Sequence, residues 1–186
     1  MIDTRHSCGM NTLVARASRL AEQSHADIGQ KRKYTGSAYI VHPAAVVSIV
    51  QSVPHTNEML AAAWLHDTVE DTDLALSDIQ SNLGESVASL VEMLTDISTP
   101  ADGNRAARKK IDREHAAKAS PQAQTIKLAD VIDNARSIER YDPAFAKVYF
   151  AEKRLLLAVL LFGDETLWCE ADKIVTGDEG TIKACQ

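Results

Sequence analysis

Between His66 and Thr72 the chain reads His-Asp-Thr-Val-Glu-Asp-Thr, one imidazole and three carboxylates closing an otherwise apolar, helix-like stretch that begins near Glu58. On a helix, residues 66, 67, 70 and 71 crowd one face. Burying several ionised carboxylates side by side costs on the order of several kcal/mol per group unless a cation or a proton compensates them. The fold must therefore leave this face wet or give it a metal, and the second option makes the chain an enzyme.

The 186 residues are 45% hydrophobic and 25% charged, enough for one compact domain with a substantial core, and a single domain over 1–186 with its core at about 13–162 is expected. A formal net charge of -6 argues against sequence-independent binding to DNA or RNA, which needs a basic face to displace counterions. Cys8, Cys169 and Cys185 are scattered and odd in number, with no Cys/His spacing, so neither a disulfide framework nor a thiolate zinc site is suggested and a reducing cytoplasm fits best. The longest apolar run, Leu155 to Phe162, is far below the roughly 20 residues a membrane span needs and reads as a buried helix of a soluble protein.

Ala and Leu recur at three- and four-residue spacing while β-branched alternation is rare, which predicts an all-α bundle. Helices are expected over about 12–26, 43–53, 58–71, 78–83, 85–95, 105–119, 122–140 and 143–162. Pro43 opens the second, Ser77 caps the fourth, Gly84 separates the fourth from the fifth, and 99–104 is a polar loop. After Gly163 the pattern weakens, and 176–186 reads as frayed.

Three separated elements offer nitrogen and oxygen ligands: His42 at a helix start, His66 with Asp67, and Asp130 within Ile126-Lys127-Leu128-Ala129-Asp130. Two imidazoles with two carboxylates suit Mn²⁺, Fe²⁺ or Zn²⁺, and the lack of thiolates leans away from structural zinc. Such an ion lowers the pKa of its water and polarises a phosphoryl oxygen, while Glu70 and Asp71, one turn further on, are placed to relay the proton. Taken singly, a His-Asp pair is usually a surface feature and an Asp in an apolar helix usually faces solvent; the combination is what points to a site.

Arg32-Lys33-Tyr34-Thr35-Gly36, Tyr39-Ile40-Val41-His42-Pro43, the 66–72 heptapeptide, Lys127-Leu128-Ala129-Asp130 and Asn134, in that order, resemble the hydrolase domain of RelA/SpoT homologues. The likeness is greatest to the stand-alone small alarmone hydrolases of the HD superfamily and covers roughly Leu13 to Phe162. It implies an HD-domain helical bundle with metal ligands His42, His66, Asp67 and Asp130, Mn²⁺ as the usual ion, and a catalytic Glu70-Asp71 pair. It further implies that Arg32 stacks on a guanine base, with Lys33 beside it and Asn134 near the nucleoside; an arginine stacks on rings better than a lysine does. The implied reaction removes the 3′-pyrophosphate of guanosine tetra- or pentaphosphate, giving GDP or GTP. Arg105, Arg108 and Lys109 after the polar loop, and Lys147 in a late helix, are candidates for the outgoing pyrophosphate, Arg108 and Lys147 being the two retained as substrate-binding.

The same site could serve the 2′-phosphate of NADPH or a 3′-phosphorylated adenosine nucleotide, and a non-catalytic nucleotide sensor is the alternative of a different class. A phosphorylated purine nucleotide is thus the expected partner, with no membrane, and a homodimer is left open. His6, His25, His55 and His115 have no ligand-spaced companion and are set aside, Met59 and Trp64 read as core or pocket wall, and Trp168 and Cys169 receive no role.

Overall fold

The computed structural model describes residues 12–177, and among these the ordered elements are helical apart from one isolated bridge between Lys31 and Ala38. In chain order the α-helices are α1 Thr12–Asp27, α2 Val41–Val50, α3 Asn57–Leu65, α4 Thr68–Asp71, α5 Leu76–Leu83 and α6 Glu85–Leu94. After a 3-10 turn at Pro100–Asp102 come α7 Arg105–Ala116, α8 Pro121–Tyr141, α9 Pro143–Leu157 and α10 Glu165–Thr176. No helix among the described residues is long and apolar enough to cross a membrane.

The organising element is α8. Its residues Ile126, Leu128, Ala129, Val131, Ile132 and Ala135 are fully buried, so the helix is apolar nearly all round through its middle, as a central helix must be. Helices α2, α3, α6, α9 and α10 all pack against it. Ser120 starts it by accepting the Ala123 N–H, with Pro121 in the first turn, and Asp142 then caps α9 by accepting the Phe145 N–H. Asp130 sits at the midpoint of α8 and turns inward to the α2–α3 side, where it is 6% exposed.

Three local readings are corrected. The helix expected over 58–71 is two: α3 ends at Leu65, and Asp67 (φ -100°, ψ -7°) breaks the spiral before α4. Released from the helix, the Thr68 hydroxyl donates to the Leu65 carbonyl and the His66 ring meets the Ala63 carbonyl, capping α3 locally. Ser77 does not cap α5, which begins a residue earlier; Asp78 does so instead, its carboxylate accepting the Ala75 N–H. The run 155–162 is neither one helix nor uniformly buried, since α9 ends at Leu157 and Leu155, Leu161 and Phe162 are exposed while Leu156, Leu157 and Leu160 enter the core.

Beyond Gly163 the chain forms α10, which buries Leu167, Trp168, Ala171 and Val175 against α8 and α9, and the Trp168 indole donates to the Leu157 carbonyl. Its acidic and lysine residues dilute the apolar signal over a single short helix, which is why the pattern looks weak. Thr176 is still helical and buried, and the rest of the expected frayed segment lies outside the described residues. Cys169 is disulfide-bonded, where the sequence suggested no disulfide framework.

The turn into α10 is tied to α8 by buried polar contacts: Gln124 Oε1 accepts the Phe162 N–H and Thr125 Oγ1 accepts the Asp164 N–H, each at 2.9 Å. Gly163 lies between them, so close that an added Cβ would stand 2.7 Å from Leu128 Cδ1 and 3.1 Å from the Gln124 carbonyl carbon. Gly163→Ala should therefore destabilise the protein by about 1–3 kcal/mol, read from the midpoint of a denaturant titration; an unchanged midpoint would contradict this packing.

Candidate metal centre and flanking clefts

The four donors of the expected ligand set come from three different structural devices. Pro43 in the first turn of α2 leaves His42 buried at 1% exposure. The break after α3 delivers His66 and Asp67 together, and Asp130 arrives from α8. His42 Nε2 lies 3.2 Å from His66 Nε2, 3.5 Å from Asp67 Oδ2 and 3.3 Å from Asp130 Oδ1; His66 Nε2 lies 3.2 Å from Asp67 Oδ2 and 3.7 Å from Asp130 Oδ1.

The other nitrogen of each ring fixes the chemistry of this convergence. His42 Nδ1 is 2.6 Å from Asp133 Oδ2, and His66 Nδ1 is 2.8 Å from the Ala63 carbonyl oxygen. Facing acceptors, both Nδ1 atoms carry the proton, so both Nε2 lone pairs turn inward toward two carboxylate oxygens. Four lone-pair donors cannot share a buried space without positive charge among them. Bonds of about 2.1 Å to one ion set neighbouring ligands roughly 3.0–3.4 Å apart, which matches the shorter spacings here. The residues present therefore fit a divalent cation.

The electrostatics agree. Burial opposes charge on His42, but the carboxylates of Asp130, Asp133 and Asp67 outweigh it and push the ring up to about 11; the balance among burial, Asp67 and Asp130 puts His66 at about 9. Burial likewise works against ionised Asp67 and Asp130, yet the two imidazoles hold both well below the usual carboxylate range. A cluster that draws protons this strongly accepts a divalent ion in their place. Tyr39 donates to Asp67 Oδ2 at 2.5 Å and Asn134 Nδ2 to Asp130 Oδ1 at 2.6 Å, so each donor carboxylate is oriented through the oxygen that faces the imidazoles.

Two clefts flank the cluster. One, of about 260 Å³, is lined by Arg32, Lys33, Tyr34, Tyr39, Asn134 and Phe145 among others. Here Arg32 Nη1 donates to Asn134 Oδ1 at 3.2 Å and Nη2 to Asp133 Oδ2 at 3.4 Å, so Arg32 and Asn134, 102 positions apart, meet in one cleft. Lys33 stands at the mouth, exposed, near Asp142 and over the Tyr34 ring. The other cleft, of about 370 Å³, holds Glu70 and Asp71 on one side and Arg105, Arg108 and Lys109 from α7 on the other.

With the helix broken at Asp67, Glu70 and Asp71 no longer share a helix face with His66 and Asp67; the α4 turn presents them to the second cleft. Glu70 Oε1 accepts the Asp96 N–H at 2.6 Å, and desolvation there, reinforced by the Asp96 charge and opposed by Lys127, pushes its carboxyl up to about 7. Asp71 is also raised by desolvation, against the Nε2–H that Gln30 donates to its Oδ2 at 2.8 Å.

The three α7 cations separate by their partners. Arg105 forms a two-pronged pair with Glu152, and Lys109 is bound to Asp96 at 2.7 Å. Arg108 Nε is buried with no acceptor. Lys147 is exposed on α9 and lines neither cleft, whereas Lys153, one and a half turns later, is half-buried beside Asp96, Lys109 and Lys127. Sequence reading missed Asp133, Tyr39 and Gln30. Asp133 had a signal, standing three residues after Asp130 and hence near it on α8; the other two reach the site through loop geometry that no spacing encodes.

A model of the HD domain matches residues 17–158. The chain belongs to the HD domain family. Within it, the chain is 35% identical over 134 residues to the guanosine-3′,5′-bis(diphosphate) 3′-pyrophosphohydrolase MESH1 of Xenopus tropicalis, covering 70% of this chain and 72% of that protein. It is 34% identical over 134 residues to a probable guanosine-3′,5′-bis(diphosphate) 3′-pyrophosphohydrolase of Synechocystis, of whose length it spans only 17%. A solved structure described as a metazoan ortholog of SpoT that hydrolyses ppGpp superposes with a TM-score of 0.79 at 29% identity, over 91% of this HD domain chain and 96% of that one.

Among the described residues, Asp133 is the acceptor that faces His42 Nδ1 and fixes its tautomer. Asp133→Ala should weaken Mn²⁺ binding by about 10- to 100-fold in a calorimetric titration while the helical signal persists; wild-type affinity would show that the ring needs no such support.

Proposed function

We propose that this HD domain is a divalent-metal-dependent 3′-pyrophosphohydrolase of guanosine tetra- and pentaphosphate, with Mn²⁺ as its ion. The observation that carries this reading is the placement of the four-donor cluster between two clefts of opposite chemistry. One offers a guanidinium and an amide to a nucleoside; the other offers the cations of α7 to phosphate and a carboxylate pair to water. The relatives named for this reaction support the same substrate class.

When bound, the ion would be held by His42, His66, Asp67 and Asp130 and would supply a water of lowered pKa and polarisation of a phosphoryl oxygen. Glu70 and Asp71 take and hold the proton of the attacking water. Its oxygen bonds to the phosphorus attached to the 3′-oxygen, the bond from that phosphorus to the 3′-oxygen breaks, and the 3′-oxygen receives a proton. The products are pyrophosphate and GDP from the tetraphosphate, or GTP from the pentaphosphate. Arg108, in the wall of the second cleft, neutralises charge on the departing diphosphate. Arg32 stacks on the guanine base, with Asn134 beside the nucleoside and Lys33 at the cleft mouth. Lys147 stands exposed on α9, outside the residues that line the two clefts.

A product-resolved assay of the Mn²⁺-loaded protein against guanosine tetraphosphate, its adenosine analogue and NADPH tests the reading. Pyrophosphate and GDP are expected; orthophosphate from NADPH with no turnover of the guanosine nucleotide would overturn it. Glu70→Gln should lower kcat by about 10²–10⁴ with Mn²⁺ affinity retained, and a wild-type rate would exclude Glu70 as the base.

A base works only when ionised, so activity should rise with pH through the Glu70 pKa. A bound cation draws that value down from about 7 toward its ordinary 4.5, placing the acid limb of kcat/KM between the two. The limb should be missing from the residual activity of Glu70→Gln.

A further inference from the structure

His25 and Gln30 lie outside the ligand set, yet they connect the end of α1 to Asp71, the last carboxylate of the 66–72 segment. His25 is 2% exposed, and its Nδ1 stands 2.6 Å from Gln30 Oε1. Gln30 in turn donates through Nε2 to Asp71 Oδ2 at 2.8 Å. The Gln30 backbone is pinned on both sides, its N–H donating to the His25 carbonyl and its carbonyl accepting the Tyr39 N–H. We propose that His25 and Gln30 are positioning residues that hold the Asp71 carboxylate in one orientation toward the phosphate cleft.

The chain of bonds has a single polarity. An ionised Asp71 only accepts, so the Gln30 amide must turn its NH₂ to Asp71 and its oxygen to His25. That oxygen requires a proton on His25 Nδ1. His25 Nε2 is buried without a partner, as expected for the bare nitrogen of a neutral ring protonated at Nδ1. Burial also lowers the His25 pKa and keeps the ring neutral. The reversed amide would set its oxygen against a carboxylate.

The imidazole cannot swing away, because the Tyr39 ring packs against it with centroids 4.7 Å apart. Tyr39 is also the donor to Asp67, so one buried contact behind the site orients a metal-donor carboxylate and the proposed proton-handling carboxylate together. Asp71 is otherwise exposed along the cleft, and the only side-chain hydrogen bond to it among the described residues comes from Gln30. Without that bond its carboxylate has several open rotamers.

The proposal rests on the reading of Asp71 as part of the proton-handling pair. The test compares kcat and KM for guanosine tetraphosphate in Mn²⁺-loaded wild type, Gln30→Leu, His25→Leu, His25→Asn and Asp71→Asn, with melting temperature and Mn²⁺ affinity measured on each. Gln30→Leu and His25→Leu should lower kcat by about tenfold or more while KM stays within about twofold, since the substrate's own contacts are untouched. His25→Asn should recover part of the loss, because its amide can present a donor where Nδ1–H stood.

Adding Gln30→Leu to Asp71→Asn should cost nothing further if the two act through one another. Independently of activity, the ¹⁵N shifts of the His25 ring should report a neutral imidazole protonated at Nδ1. An inactive Asp71→Asn beside a wild-type Gln30→Leu would overturn the proposal, as would a His25 proton on Nε2. A wild-type Asp71→Asn would overturn the reading of Asp71 and the proposal with it. Should His25→Leu fail to fold, Gln30→Leu, in a half-buried loop, decides the matter with the ring shifts.

Discussion

Four inward-facing lone pairs, two from imidazoles and two from carboxylates, form the constraint around which this HD domain is arranged. Their mutual repulsion is tolerable only with positive charge at their centre, and among the described residues no lysine or arginine forms an ion pair with Asp67 or Asp130 there. The bundle converts this repulsion into affinity for a divalent ion. Every neighbouring choice serves that end: the Ala63 carbonyl and Asp133 hold the two Nδ1 protons outward, while Tyr39 and Asn134 orient the carboxylates. A polar cluster of this kind is costly when partly satisfied, and here each member has its partner.

The scaffold makes that arrangement rigid. Asp130 stands in the middle of a helix buried on nearly every side, so its carboxylate is located by the packing of Leu128, Val131 and Ile132 against five other helices. His42 is located by the first turn of α2. Only the His66-Asp67 pair sits at a break, and the break serves a purpose: a continuous helix would carry the acidic pair onward along α3, whereas the kink at Asp67 turns Glu70 and Asp71 into a separate cleft. The ligand set and the Glu70-Asp71 pair thus occupy neighbouring compartments.

Much of this was legible in the chain. The three- and four-residue apolar spacing gave the bundle, and residue type with order gave His42, His66, Asp67 and Asp130 as a set, because ligand chemistry survives in a linear string. What escaped was whatever depends on backbone geometry between elements. The break at Asp67 was invisible because Thr68, Val69 and Glu70 are all compatible with continued helix. Helix α10 was underrated because its apolar residues are diluted by charge. His25 was set aside for want of a ligand-spaced companion, when its partner is a loop amide five residues on. Among the three α7 cations, composition could not tell which would be left without an acceptor; that depended on Glu152 and Asp96 arriving from other helices.

One oxygen atom joins two parts of the molecule. Asp133 Oδ2 accepts both from His42 Nδ1 and from Arg32 Nη2, so one imidazole of the cluster and the guanidinium of the neighbouring cleft compete for the same lone pairs. A ligand that drew Arg32 away would leave more of that oxygen to His42 and make its Nε2 a stronger electron donor. Linkage then requires the converse, a bound ion easing the release of Arg32. Occupancy of one compartment is thereby sensed in the other, through a carboxylate that need touch neither ligand.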